Sequence, residues 1–136
     1  MKGTGIIIHH SASPDVNAEE IWRWHLQRGF SDIGYHFVIR ADGSLELGRP
    51  LNKMGAHCKG HNKGNIGIVL TGNFKEYPPS GVQYKTFKIV LKVLAAVYQI
   101  TPARVLWDRD LAATLCPGKC FDLSGICWWW TDPDIW

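Results

Sequence analysis

No apolar stretch in these 136 residues approaches the roughly 20 residues that a membrane-spanning helix needs, which argues against a membrane partner. There is no run of five or more basic residues, and the net charge is only +3. So weak a positive field does not indicate nucleic acid, although it favours an anionic polymer such as a bacterial wall. The start, Met1-Lys2-Gly3-Thr4-Gly5, runs directly into a short apolar segment without a full hydrophobic region or a cleavage site. The expectation is a chain made in the cytoplasm without a signal peptide, acting elsewhere only once something else releases it. No internal repeat and no linker interrupts the chain. The four cysteines, Cys58, Cys116, Cys120 and Cys127, are irregularly spaced and allow three pairings. With a cytosolic start they are expected as thiols. A His-Glu-x-x-His metal motif is also missing.

What is present describes a globular domain. Hydrophobic residues make up 46% and charged residues 20%, outside the disordered range. The length fits a single domain, 1–136, acting as a monomer. Seven tryptophans is a high count, and Trp128, Trp129, Trp130 and Trp136 crowd the C-terminus, where a packed aromatic cap is expected.

The spacing of apolar residues predicts the order β-α-β-β-β-α-β. Residues 5–9 form a β-branched, buried strand. Asn17 caps a helix to about residue 27, with Glu19 and Glu20 in its first turn and Gly29 after its end. Ile21, Trp24 and Leu26 or Arg28 mark its inner side. Residues 35–40 and 44–47 are strands joined at the Asp42-Gly43 turn. Residues 52–65, rich in Gly, His, Lys and Asn, read as a long surface loop of the kind that carries function. Residues 66–71 are a further strand. Phe87, Val90, Leu91, Leu94 and Tyr98 repeat at helical spacing within 82–99, opposite Lys85, Lys88 and Lys92. Residues 105–107 close the sheet, and a short helix is read at 124–130. The fold class is α/β: a central mixed sheet flanked by helices.

Two distant segments end apolar runs with metal-type side chains. His9 stands at the end of the first strand, and Asp108 and Cys116 lie around the last strand and the loop after it. Imidazole, thiolate and carboxylate are the donors zinc accepts, and three of them leave a position for water. By spacing alone each has an ordinary alternative. A histidine after a strand is often structural, and a cysteine before Pro-Gly is often simply buried.

Several motifs appear in a fixed order: Ile8-His9-His10-Ser11-Ala12, Gly34-Tyr35-His36-Phe37, Asp42-Gly43, Gly55-Ala56-His57, Asn65-Ile66-Gly67-Ile68 and Thr114-Leu115-Cys116-Pro117-Gly118. Across roughly 6–123 the chain resembles the N-acetylmuramoyl-L-alanine amidases, the family that includes phage amidase-type lysozymes and peptidoglycan recognition proteins. The resemblance implies a Zn2+ hydrolase of phage endolysin or prophage type. It would cut the amide between N-acetylmuramic acid and L-alanine, with bacterial peptidoglycan or muropeptides as partners. It would act on the cell wall after release. His9 matches the first zinc ligand, Cys116 the third, and Tyr35 the tyrosine near the reacting centre. Thr114 matches a Lys or Thr position facing the reacting carbonyl. A zinc ion so held polarises the scissile carbonyl and activates water. His57, in the long loop, is read as part of the substrate groove. His10 is expected to pack in the core on the opposite face of the strand, His36 to be structural, and His25 and His61 to face solvent.

The pattern departs from the family at one place. Where the family has Gly-His-Arg-Asp, this chain has Trp107-Asp108-Arg109-Asp110. A carboxylate oxygen lies as many bonds from Cα as histidine Nδ1, so Asp108 can serve as the second ligand. That changes the charge of a bound zinc complex from +1 to neutral by one-for-one substitution, which should weaken its effect on water. The alternative is a degraded site on a peptidoglycan-binding module. Asp110 is a minor candidate donor, since residues two apart on a strand share a face; capping the turn or pairing with Arg109 is its expected role.

Overall fold

The computed structural model describes residues 4–121; the expected aromatic cap and the helix at 124–130 fall outside them. The element order follows the expectation: β1 (Gly5–His10), α1 (Ala18–Gln27), β2 (Phe37–Ile39), β3 (Leu45–Leu47), β4 (Asn65–Leu70), α2 (Gly81–Tyr98) and β5 (Val105–Trp107). The sheet runs β3-β2-β4-β1-β5, antiparallel only between β2 and β3.

Two crossovers organise the layers. The chain passes from β1 over β4 to β2 through α1, and from β4 over β1 to β5 through α2. They travel in opposite directions across the sheet, so right-handed connections put the two helices on opposite faces. Alternation along β1 then sorts its side chains. Ile6 and Ile8 join the larger core with Ile66, Ile68, Leu70 and the α2 residues Phe87, Val90, Leu91 and Leu94. Ile21 of α1 packs with Ile33, Val38 and Val69 on the other face. Burying one such side chain contributes about 1.5–3 kcal/mol, so these two cores hold the sheet against both helices.

Both helix starts carry the expected chemistry. Asn17 accepts the Glu20 N–H at 2.9 Å, and Ser80 with Gln83 forms a reciprocal cap on α2. Three local expectations change. The second strand covers only 37–39, although the His36 N–H still donates to the Gly67 carbonyl of β4 and the Tyr35 and His36 carbonyls accept the Arg49 and Gly48 N–H groups. Leu26 is exposed, and His25 takes the inner position of α1. His25 is therefore not solvent-facing: its Nδ1 accepts the Gly34 N–H at 2.8 Å. Burial, then the nearby Arg28 and Arg49, push its pKa down to about 4, so it packs as a neutral ring.

Candidate metal centre

The parallel strands β1 and β5 are adjacent, with Ile8 opposite Trp107. The next residues, His9 and Asp108, therefore emerge side by side at the carboxyl ends of two parallel strands, where α/β sheets commonly place their ligands. Asp108 opens a single 3-10 turn, Asp108–Asp110, and the chain then folds back on itself. The Arg109 N–H donates to the Cys116 carbonyl at 2.9 Å, while the Arg109 guanidinium lies 3.9 Å from the Trp107 ring centre. This clasp brings Cys116 back beside Asp108 despite the intervening loop. A Cβ on Gly118 would overlap the Phe74 backbone, so only glycine lets the end of the loop lie this close.

The His9, Asp108 and Cys116 donor atoms lie within 4.8 Å of one another. His9 Nδ1 is 3.3 Å from Asp108 Oδ2 and 3.8 Å from Cys116 Sγ. Ordinary zinc–ligand bonds at tetrahedral angles separate nitrogen from oxygen by about 3.4 Å and nitrogen from sulfur by about 3.6 Å. The donors present thus fit a zinc ion in both type and spacing. His9 is buried while Asp108 and Cys116 are half-buried, which leaves one side of the cluster facing out.

The tautomer of His9 follows from its neighbours. His57 Nε2 lies 3.1 Å from the Asn65 carbonyl, which only accepts, so Nε2 carries the hydrogen. Burial, then the adjacent His9, push the His57 pKa down to about 3 and keep the ring neutral. Its bare Nδ1 then accepts from His9 Nε2–H at 2.9 Å. With that hydrogen on Nε2, Nδ1 is the ring atom that faces Asp108 and Cys116, and there a metal would take the place of the proton shared with the carboxylate. Room for His57 comes from glycine: a Cβ on Gly67 would stand 2.5 Å from His57 Cδ2, and one on Gly55 would stand 2.6 Å from it.

Charge balance in the cluster is set by the two strand-end residues. Burial raises the Asp108 pKa, but the hydrogen bond and charge of His9, then the Cys58 and Cys116 thiols, outweigh it and hold the carboxyl below its usual range. The Cys116 thiol is pushed well up, by burial and by the Asp108 carboxylate, against the His10 N–H that donates to its sulfur at 3.3 Å. A cation in the cluster would reverse that penalty and favour the thiolate. Burial, then the Asp108 carboxylate, pushes Cys58 up to about 11.

The other sequence-derived candidates have definite places. The Tyr35 ring lies 5.1 Å from that of His9, and burial, then Cys116 and Asp108, push its pKa above the usual phenol range. Thr114 is exposed; its Oγ1 accepts the Cys116 N–H at 3.2 Å, which leaves its own O–H free to donate. His57 also lines a cavity of about 450 Å³ together with Tyr35, Arg28, Phe30 and Lys59. His10 is buried on the opposite face, accepting the Phe74 N–H at 3.1 Å, and His36 braces Lys53 against Gly67. His61 is exposed. Asp110 does not share a face with Asp108, because residues 108–110 form a turn and not a strand; its Oδ2 accepts the Trp107 N–H at 3.0 Å.

Sequence reasoning did not single out Cys58 or Asn62. The Asn62 side-chain oxygen accepts the N–H groups of both His57 and Cys58 at 2.9 Å, which orders the loop. An asparagine five residues beyond a Gly-Ala-His segment is the only sequence trace of this. Cys58 is 4% exposed.

Comparison with known proteins places these features in one family. The model of the N-acetylmuramoyl-L-alanine amidase family matches residues 1–119. The endolysin of Klebsiella phage KP32 is 36% identical over 135 residues, covering 91% of this chain and 83% of the relative. Peptidoglycan-recognition protein LB of Drosophila melanogaster is 35% identical over 125 residues, covering 83% of this chain and 53% of that protein. Among solved structures, the N-acetylmuramoyl-L-alanine amidase LysC from Clostridium intestinale URNW superposes with a TM-score of 0.87 at 35% identity, over 92% of this chain and 83% of that one. With the strand order, the cluster at the β1 and β5 ends and these matches in hand, the chain belongs to the N-acetylmuramoyl-L-alanine amidase family.

Proposed function

We propose that this protein is a zinc-dependent peptidoglycan amidase that hydrolyses the amide between N-acetylmuramic acid and L-alanine of the stem peptide. The observation that carries the reading is the convergence of His9 Nδ1, Asp108 and Cys116 Sγ at zinc-like spacings, with one side open. Bound there, zinc would supply Lewis acidity toward the scissile carbonyl and activate water for attack.

The chain's own residues supply the rest. Tyr35, held protonated by its surroundings, is a hydrogen-bond donor to developing negative charge on the carbonyl oxygen, not a base. Thr114 offers a second donor, with its oxygen fixed by the Cys116 N–H. One such donor, well aimed, is worth about 3 kcal/mol. His57 holds His9 in its ligating tautomer while its ring borders the cavity. In that cavity Arg28 and Lys59 give positive charge for the carboxylates of a stem peptide. The endolysins among its relatives support action on the cell wall after release.

A second reading rests on Asp108. Peptidoglycan-recognition proteins are also relatives, and a cluster with a carboxylate in place of the usual imidazole fits a binding module if it fails to retain metal. Hydrolysis of purified peptidoglycan, followed by release of L-alanine amino termini with and without a chelator, decides between them. Chelator-sensitive release supports the enzyme. Muropeptide binding without release would favour the binding module.

A further inference from the structure

The connection between β3 and β4, residues 48–64, concentrates the chain's positive charge. It holds four basic residues, Arg49, Lys53, Lys59 and Lys63, and no acidic one. The rest of the chain has eleven basic and twelve acidic residues, so the net charge of +3 comes from this connection alone. Lys53, Lys59 and Lys63 are all exposed.

These charges stand on an ordered backbone, although the connection has no helix or strand. Arg49 is turned inward: its guanidinium donates to the Ile33, Met54 and Asp32 carbonyls at 2.8–3.2 Å. His36 Nε2 donates to the Lys53 carbonyl at 2.9 Å, and the Ala56 N–H to the Gly34 carbonyl at 3.0 Å. Asn62 takes the His57 and Cys58 N–H groups. The same backbone forms one wall of the 450 Å³ cavity, through residues 56–60 and Asn62. Lys59 lines that cavity, while Lys53 and Lys63 flank the lining run on either side.

Exposed cations of one sign raise the local concentration of an anionic ligand and speed its encounter, an effect that salt screens. A single muropeptide brings only the stem that enters the cavity. A polymer also brings neighbouring stems, each with its own carboxylates. We propose that Lys53 and Lys63 form a docking rim for polymeric peptidoglycan, engaging carboxylates of stems next to the one in the cavity. The rim favours the polymer over a single muropeptide, and it rests on peptidoglycan being the substrate, as proposed above.

The test compares purified soluble peptidoglycan chains with a disaccharide–peptide monomer that carries the same scissile amide. Each is assayed at about 0.1 M and about 1 M salt, where charges are screened beyond about 10 Å and about 3 Å. Two exposed ion pairs lost in Lys53→Gln/Lys63→Gln should lower kcat/KM on the polymer about 2- to 30-fold at the lower salt. The difference should vanish at the higher salt, and the monomer should be cut as by the parent at both. Lys53→Arg/Lys63→Arg should keep the parent's rate on the polymer. Lys85→Gln/Lys88→Gln on α2 removes the same charge elsewhere and should match the parent. An unchanged polymer rate in Lys53→Gln/Lys63→Gln would overturn the proposal, as would an equal loss on the monomer, which makes the lysines part of the cavity. So would an equal loss in the α2 variant, which makes the effect one of net charge, or a loss that persists at the higher salt. Co-sedimentation with insoluble peptidoglycan reads the rim without catalysis. A parent that pellets more than Lys53→Gln/Lys63→Gln but cuts neither substrate supports the rim and overturns the hydrolase reading; a parent that neither cuts nor pellets overturns both.

Discussion

Replacing His57 with alanine isolates the support of the first ligand. The substitution removes the 2.9 Å hydrogen bond that fixes the His9 ring and leaves all three proposed donors in place. Hydrogen bonds to groups that carry charge contribute about 1.5–3 kcal/mol, and loss of an outer partner of a metal ligand typically costs 10- to 100-fold in affinity. A 10- to 100-fold loss is about 1.4–2.7 kcal/mol, and the two figures overlap at about 1.5–2.7 kcal/mol, so zinc affinity should fall by roughly that 10- to 100-fold. Competition with a chromophoric chelator measures this directly. Thermal unfolding gives an independent reading, because ligand that binds only the folded chain stabilises it by a term logarithmic in its affinity. For 136 residues the entropy of unfolding is about 290 cal/mol/K, so at fixed saturating zinc the rise in Tm should shrink by about 5–9 °C. Chelated His57→Ala protein should lose far less relative to chelated parent. Equal affinities would refute the reasoning. So would a stability loss that is the same with and without zinc, since that would make His57 a packing residue.

Other substitutions probe neighbouring links. Gly67→Ala places a methyl 2.5 Å from His57 Cδ2, so it should weaken zinc binding much as His57→Ala does, and a chelator competition that shows no change would remove His57 from the account of the site. Tyr35→Phe should lower kcat about 10²- to 10³-fold, the usual cost of one transition-state donor, while zinc content stays the same; a change confined to KM would assign Tyr35 to substrate binding. Asp108→His restores a positive complex and should raise zinc affinity and move the pH optimum down. An unchanged optimum would contradict the charge argument, and lower activity would mean that the surroundings are adapted to the carboxylate.

The order of elements was legible because apolar periodicity reports directly on burial. Phe87, Val90, Leu91 and Leu94 recur at helical spacing, and all are buried on α2. The weaker pattern in α1 has a cause: its inner face uses His25, a polar residue made buriable by one hydrogen bond to Gly34. Polarity alone therefore pointed His25 the wrong way. His9, Asp108 and Cys116 were each visible as donors at the ends of apolar runs. Their meeting depends on β1 and β5 being neighbours and on the Arg109–Cys116 clasp, which no local spacing encodes. Asp110 shows the converse error, where strand alternation was extended one residue into a turn. The contacts of His57 and Cys58 were least legible. They come from an aperiodic loop whose shape depends on a single asparagine side chain.

The most direct test of the central idea is metal analysis of the purified chain beside its activity on purified peptidoglycan. About one zinc per chain, with release of L-alanine amino termini that a chelator abolishes and added zinc restores, is the expected result. Protein that takes up no zinc yet binds muropeptide without cutting it would contradict it.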